Sequence, residues 1–230
     1  MSSSCRLRFA RPGRPGSRTA AAAGRCSLHY RSRSPRSSGL AEAENFALAG
    51  GAALIARGEI QRETRDLDFF GLAPDDVDRL VPAVDRALQE AGLVVWRVQV
   101  SPGFARLIVE SGDDSTELDL GADARLFPVE PHHPAPTLSG KELAVDKVLA
   151  VFGRAEARDF VDLAAVEARY GLDRLFELAA EKDHGFTREM FAEMAGRFSQ
   201  LRPEEFGLDR QEYEQLERKV LEWQERARHR

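Results

Sequence analysis

"ETRDLDFF", Glu63 to Phe70, sets two aspartates one residue apart inside an apolar run. In a strand, residues i and i+2 project to the same face. Asp66 and Asp68 therefore stand together, while Leu67 and Phe69 turn to the opposite side, into a core. Two carboxylates so close raise one another's pKa and weaken the fold. Taken alone, a D-x-D is most simply a strand with solvated acids on its polar face. What the strand is for depends on its surroundings.

Downstream, "TELDLG" (Thr116–Gly121) obeys the same alternation, with Asp119 on one face and Leu118 and Leu120 on the other. If the two strands are neighbours, three carboxylates gather on one patch of sheet. A pair of Mg²⁺ (or Mn²⁺) ions would remove the repulsion, and all-oxygen ligation is what such hard cations prefer. Two of them can clamp the attacking and leaving oxygens of a phosphoryl displacement. Upstream, "NFALAGG" (Asn45–Gly51) reads as a short buried strand ending in a Gly-Gly turn, and "AALIARG" as the helix it opens. Glycines at Gly50 and Gly51 let backbone N–H groups come close to a triphosphate. A lone Gly-Gly is usually only a turn. Gly-Gly, a short helix and then Thr64-x-Asp66-x-Asp68 is a much more specific order.

The rest of the chain divides by period. Pro74 opens an amphipathic helix, "PDDVDRLVPAVDRALQEAG", with acids in its first turn and Gly92 past its end. "LVVWRVQVS" and "FARLIVES", split by Pro102-Gly103, read as a hairpin, with "TELDLG" the third strand of that series. After the proline-rich loop "FPVEPHHPAPTLSG" every segment has helical period. These are "KELAVDKVLAVFGR", "ARDFVDLAAVEARYG", "LDRLFELAAEKD", "TREMFAEMAGRFSQL" and "DRQEYEQLERKVLEWQERARHR". The expected architecture is an α/β part over 41–130 followed by an α-helical part over 141–230.

Residues 1–40 stand apart. They hold nine of the 33 Lys and Arg and none of the 38 Asp and Glu, so the remainder carries an excess of 14 acids. Such a remainder does not attract polyanions non-specifically, and any nucleic acid there needs a local basic patch or metal ions. The tail suits a transit-type leader, a disordered basic arm or translation from an unnatural upstream start; disorder with an artefactual start is the expectation. Both cysteines, Cys5 and Cys26, lie in it, so the rest has no disulfide option, which suits a reducing cytoplasm. The longest apolar stretch, Phe46–Ala56, is too short and glycine-rich to span a bilayer, so no membrane association is expected.

The order "LAGGAAL…RETRDLDF…ELDLG…ELAVDKVLAVFGRAEARDFVDL" resembles the AbiEii/AbiGii-type nucleotidyltransferases, toxins of bacterial toxin–antitoxin and phage-defence systems that include the mycobacterial MenT group. The resemblance covers Asn45 to Tyr170. It implies a polymerase-β-like nucleotidyltransferase α/β fold, a mixed sheet with helices, followed by a C-terminal helical domain. It implies a metal-dependent transfer of NMP from NTP, most often to the 3′ end of tRNA, which blocks aminoacylation, and a cognate antitoxin as partner. It places Thr64 and Asp66 on the Ser/Thr-x-Asp motif, with Asp68 as the second metal-binding acid. It matches Lys147 to the lysine of an E-L-x-x-D-K helix and Asp162 to the acid of an R-D-F/Y-x-D-L helix. Asp119 is the member that the resemblance requires least strictly.

The residues also allow plainer readings. In "KELAVDKVLAVFGR", Leu143, Val148 and Val151 can face a core, and Lys147, one turn from Leu143, can simply snorkel from the buried stripe. Its functional role would be a point charge on the phosphates. Arg158 and Asp162 form an i,i+4 pair, which as a helix salt bridge is worth about 0.3 kcal/mol; with the family pattern Asp162 is expected to orient Lys147 or the nucleotide. His132-His133 lacks a spaced third ligand and reads as a solvated loop. Tyr213, Leu216, Val220 and Trp223 form a stripe for packing on the helical part, or less simply an antitoxin-binding face. Three functions stay open: transfer to tRNA, transfer to a protein or small molecule, and a catalytically silent scaffold that binds nucleotide or partner.

Overall fold

A computed structural model describes residues 40–64 and 66–229. The expectations for the tail up to Gly39, and for Arg65 in the D-x-D strand, lie outside those residues. Leu40–Arg230 forms one compact unit.

The sheet has five strands: β1 (Ala47–Ala49), β2 (Asp66–Gly71), β3 (Val94–Ser101), β4 (Phe104–Ser111) and β5 (Asp114–Ala122). Their order across the sheet is β1-β2-β5-β4-β3. Only β2 and β5 run parallel; every other neighbouring pair is antiparallel. The β3–β4 hairpin turns at Pro102-Gly103, where Gly103 has a φ of +75°. The parallel pair is closed by a long return through α2 (Pro74–Glu90) and that hairpin. Helix α2 covers one face of the sheet. Its Val77, Leu80 and Val81 pack against Ala105, Leu107, Leu118 and Leu120, the apolar half of each alternating strand.

The opposite face meets helices. Helix α1 (Gly50–Ala56) leaves β1 directly, so the helix begins at Gly50 itself rather than after the Gly-Gly pair. The proline-rich loop then returns alongside β1, with Pro136 O accepting from Leu48 N–H at 2.8 Å and Leu48 O accepting from Leu138 N–H at 2.9 Å. Those two bonds deliver the chain to α3 (Gly140–Gly153), whose N-cap Ser139 accepts from Glu142 N–H. Buried Glu142 then fastens α3 to its surroundings. One oxygen accepts from the N–H groups of Leu126 and Phe127, both at 2.9 Å, and the other meets Lys182 Nζ at 2.8 Å.

Helices α4 (Ala157–Tyr170), α5 (Leu172–Lys182), α6 (Arg188–Ala195) and α7 (Arg210–Arg228) complete the helical part. The segment expected as one helix through Leu201 changes at Gly196 into a 3₁₀ turn, Gly196–Gln200. The tighter turn brings buried Phe198 to the rings of Phe160 (5.3 Å), Phe206 (4.8 Å) and Tyr213 (5.4 Å). The stripe Leu216, Val220 and Trp223 on α7 is buried, which is a packing role. One apolar cluster runs from Ala47–Ala49 and Leu54 through α3 and α4 to Trp223, so the α/β and helical parts share a core.

Candidate active site

Strand alternation does what the D-x-D spacing predicts. Asp68 sits directly beside Asp119 in the β2–β5 register, and Asp66 beside Glu117. Asp66, Asp68, Phe70, Glu117 and Asp119 all line one open cleft of about 430 Å³, on the face away from α2. Gly50, Gly51, Thr64 and Lys147 line the same cleft. Asp162 lies just behind it, fully buried and in contact with Lys147.

Gly50 is favoured on two grounds. Its φ of +59° is left-handed, and a Cβ there would stand 1.9 Å from Asp68 Oδ2. Gly51 lies against Arg62, whose guanidinium nitrogen would be 2.3 Å from an added Cβ. The missing side chains make the floor of the cleft out of backbone. Thr64 Oγ1 accepts from Asp66 N–H at 3.3 Å and sets the entry to β2.

Lys147 does not snorkel to solvent. It is 5% exposed, and its Nζ meets Asp162 Oδ2 at 2.9 Å and Asp159 Oδ1 at 3.8 Å. The i,i+4 pairing of Arg158 with Asp162 is not what forms. Asp162 accepts two bonds from Arg62, both 2.8 Å, and Arg158 instead reaches across to Asp66 and to Glu156. Asp159 is gripped by Arg154 at 2.8 and 2.9 Å. Burial alone would raise the Asp162 carboxyl, but the hydrogen bonds and charges of Arg62 and Lys147 outweigh it and hold its pKa below the usual range.

On the sheet, Asp119 accepts a bidentate pair from Arg106, at 2.8 and 2.6 Å. Asp68 differs from its neighbours: among the described residues no hydrogen bond or ion pair involves its carboxylate. Burial, then the charge of Asp119, pushes its pKa up. The expected convergence therefore holds for the sheet face but not for a ready-made ligand cluster. Among the described residues no group of three or more His, Cys, Asp and Glu is disposed to hold a metal ion, because Asp66 and Asp119 turn toward arginines. The donor chemistry nonetheless fits a hard divalent cation. Three carboxylates stand on adjacent strands of one face, one of them without a hydrogen-bond or ion-pair partner among the described residues and set against a glycine rather than a side chain.

Beyond Lys147, sequence reasoning gave no basic side chain a place in this site, and it named Arg158 only as a helix salt-bridge partner. Arg62, Arg106, Arg154 and Arg158 all line the cleft. Arg106 was detectable, since any neighbour strand to β5 had to place a residue opposite Asp119. Arg62 carried no signal, because it pairs with a carboxylate 100 residues away. His132 does not face the cleft; its Nε2 lies 2.9 Å from Ala56 O.

A scan of known families matches residues 37–229 to the one described as "Nucleotidyl transferase AbiEii toxin, Type IV TA system". Among solved structures, MenT4, a nucleotidyltransferase toxin from Mycobacterium tuberculosis H37Rv, has a similar fold. Its TM-score is 0.54 at 17% identity, covering 78% of this chain and 75% of that one. JHP933 from Helicobacter pylori gives a TM-score of 0.43 at 18% identity, covering 80% and 83%. A comparison with curated proteins finds no match. Among the described residues no helix is long and apolar enough to cross a membrane. The family match takes in the whole sheet, the cleft and every helix after it, and the chain belongs to the AbiEii nucleotidyl transferase toxin family of type IV toxin–antitoxin systems.

Proposed function

We propose that the cleft binds an NTP together with Mg²⁺ or Mn²⁺ and transfers its NMP to an acceptor, the 3′ end of tRNA, so that translation stops. One observation carries the reading: Gly50, Gly51, Thr64, Asp66, Asp68, Asp119 and Lys147 share a single cleft, whose volume of about 430 Å³ is in the range that holds a nucleotide. Asp66, Asp68 and Asp119 are the residues that would hold the cation. The chemistry supplied there is screening of the triphosphate and stabilisation of the entering and leaving oxygens. Lys147, held in place by Asp162 and Asp159, puts a fixed positive charge beside the phosphates. Backbone N–H groups at Gly50-Gly51 and the Thr64 hydroxyl bind phosphate oxygens. Asp119 either completes the cation's ligand shell or takes the proton of the attacking hydroxyl. The bond that forms joins the acceptor oxygen to the α-phosphorus, and the bond that breaks releases pyrophosphate. The reading places the activity in the cytoplasm, where NTP and tRNA are, under a cognate antitoxin.

A second reading, a catalytically silent scaffold, draws on Arg158 and Arg106, which cover two of the three acids. One experiment separates the readings. The protein is incubated with each labelled NTP, Mg²⁺, total tRNA and cell extract. Label on tRNA that disappears in Asp66→Ala is the expected result. Label on a protein or a small molecule would move the acceptor and keep the chemistry. NTP binding without transfer to anything, under every condition, would leave only the scaffold.

A further inference from the structure

The antiparallel β4–β5 register sets Arg106 directly opposite Asp119, and a directly opposed pair shares a face of the sheet. The Arg106 fork takes both oxygens of Asp119, at 2.8 and 2.6 Å, and Nε also lies 3.2 Å from Glu117. While the fork is closed, each Asp119 oxygen gives one lone pair to Arg106, and a cation there would meet the guanidinium charge directly. Yet Arg106 is not locked. Its side chain is 38% exposed and lies on the cleft wall, so it can swing off Asp119 without disturbing the core. Asp68, the strand neighbour of Asp119, has no such partner among the described residues. The sheet thus holds one carboxylate open and its neighbour under an intramolecular cation.

We infer that Arg106 is the positioning residue that Asp119 exchanges for a divalent cation. In the cation-free chain it neutralises Asp119 and keeps the carboxylate turned along the β4–β5 pair. It also competes with the cation for that carboxylate, and so sets the concentration at which the site assembles. This rests on reading Asp66, Asp68 and Asp119 as cation ligands. The bidentate fork makes the competition stronger than a lysine would, since an ammonium is a point charge that engages a single oxygen.

The test uses the full chain and Mn²⁺ alone, followed by the loss of the free-ion electron paramagnetic resonance signal. Arg106→Gln, similar in length and uncharged, is expected to bind Mn²⁺ about fivefold more tightly than the wild type, the upper end for a partly exposed ion pair. Arg106→Lys should fall between them, and it serves should urea unfolding show the Gln variant to be damaged. All curves should converge at saturating Mn²⁺, which a merely structural defect would not produce. Equal or weaker binding by both variants, with Asp66→Asn still abolishing it, overturns the role of Arg106 and leaves the cation site standing. Absence of Asp66-dependent Mn²⁺ binding in wild type and variants alike overturns both.

Discussion

At the scale of single residues, the cleft is shaped as much by what is missing as by what is charged. Gly50 combines a left-handed φ with an approach that a Cβ could make only by displacing the Asp68 carboxylate, whose Oδ2 occupies the place where it would be. Gly50→Ala is therefore expected to lower stability by about 1–2 kcal/mol from the backbone alone, with the steric push on Asp68 added to it. Equilibrium urea unfolding checks the sum. Repeating it in an Asp68→Ala background separates the two parts: the steric share should vanish and the backbone share remain. An unchanged midpoint for Gly50→Ala would show that neither constraint acts in solution. Buried charges follow a similar logic. Lys147 and Asp162 are both hidden from water, and each is tolerable only because Arg62, Asp159 and Arg154 extend the pair into a chain of alternating charges.

At the scale of elements, α3 carries most of the positioning. One face supplies Leu143, Val148 and Val151 to the core, and the rest of the helix holds Glu142, Asp146 and Lys147 in two ion networks. Asp146 shares Lys182 with Glu142 and Asp123, so one ammonium serves three carboxylates. Burial, against the opposing pull of Lys182, pushes the Asp146 carboxyl up to about 6 from its ordinary 3.8. The folded state then binds this proton more tightly than the unfolded chain. Its stabilising effect is complete below pH 3.8 and is lost as pH rises through about 6. Asp146→Asn mimics the protonated form. The variant should match the wild type in urea unfolding at about pH 4 and exceed it at about pH 7. A wild type that is the more stable of the two at neutral pH would show that the Lys182 pair outweighs burial.

At the scale of the whole molecule, the apolar cluster does not respect the change from strands to helices. Leu48, Ala53 and Leu54 from the first βα unit pack with Leu143, Val148, Phe160 and residues as distant as Trp223. We propose that the α/β and helical parts, 41–130 and 141–230, are separate in pattern but interdependent in folding. A fragment of residues 40–125 would expose the α3-facing side of β1 and α1, and is expected to lack cooperative thermal unfolding by circular dichroism. Sharp two-state melting of that fragment would make the parts independent domains. The cleft has the same dependence, because its acids come from strands and its lysine from α3.

How much of this was legible in the chain follows from range. The D-x-D face, the Pro102-Gly103 hairpin and the buried stripes of α3 and α7 are set by side-chain direction along a few residues, and a sequence states such directions openly. The order Gly50-Gly51, Thr64, Asp66, Asp68, Lys147, Asp162 was equally open, because it is an order along the chain and needs no contact between segments. The partners were not. That Asp119 faces Arg106, that Asp66 meets Arg158 and that Asp162 is held by Arg62 and Lys147 together were decided by strand register and by where α3 and α4 come to rest. Local pattern settles which way a charge points. Only the assembled fold settles what it meets there, since Coulomb energy depends on distance through space and not on separation along the chain.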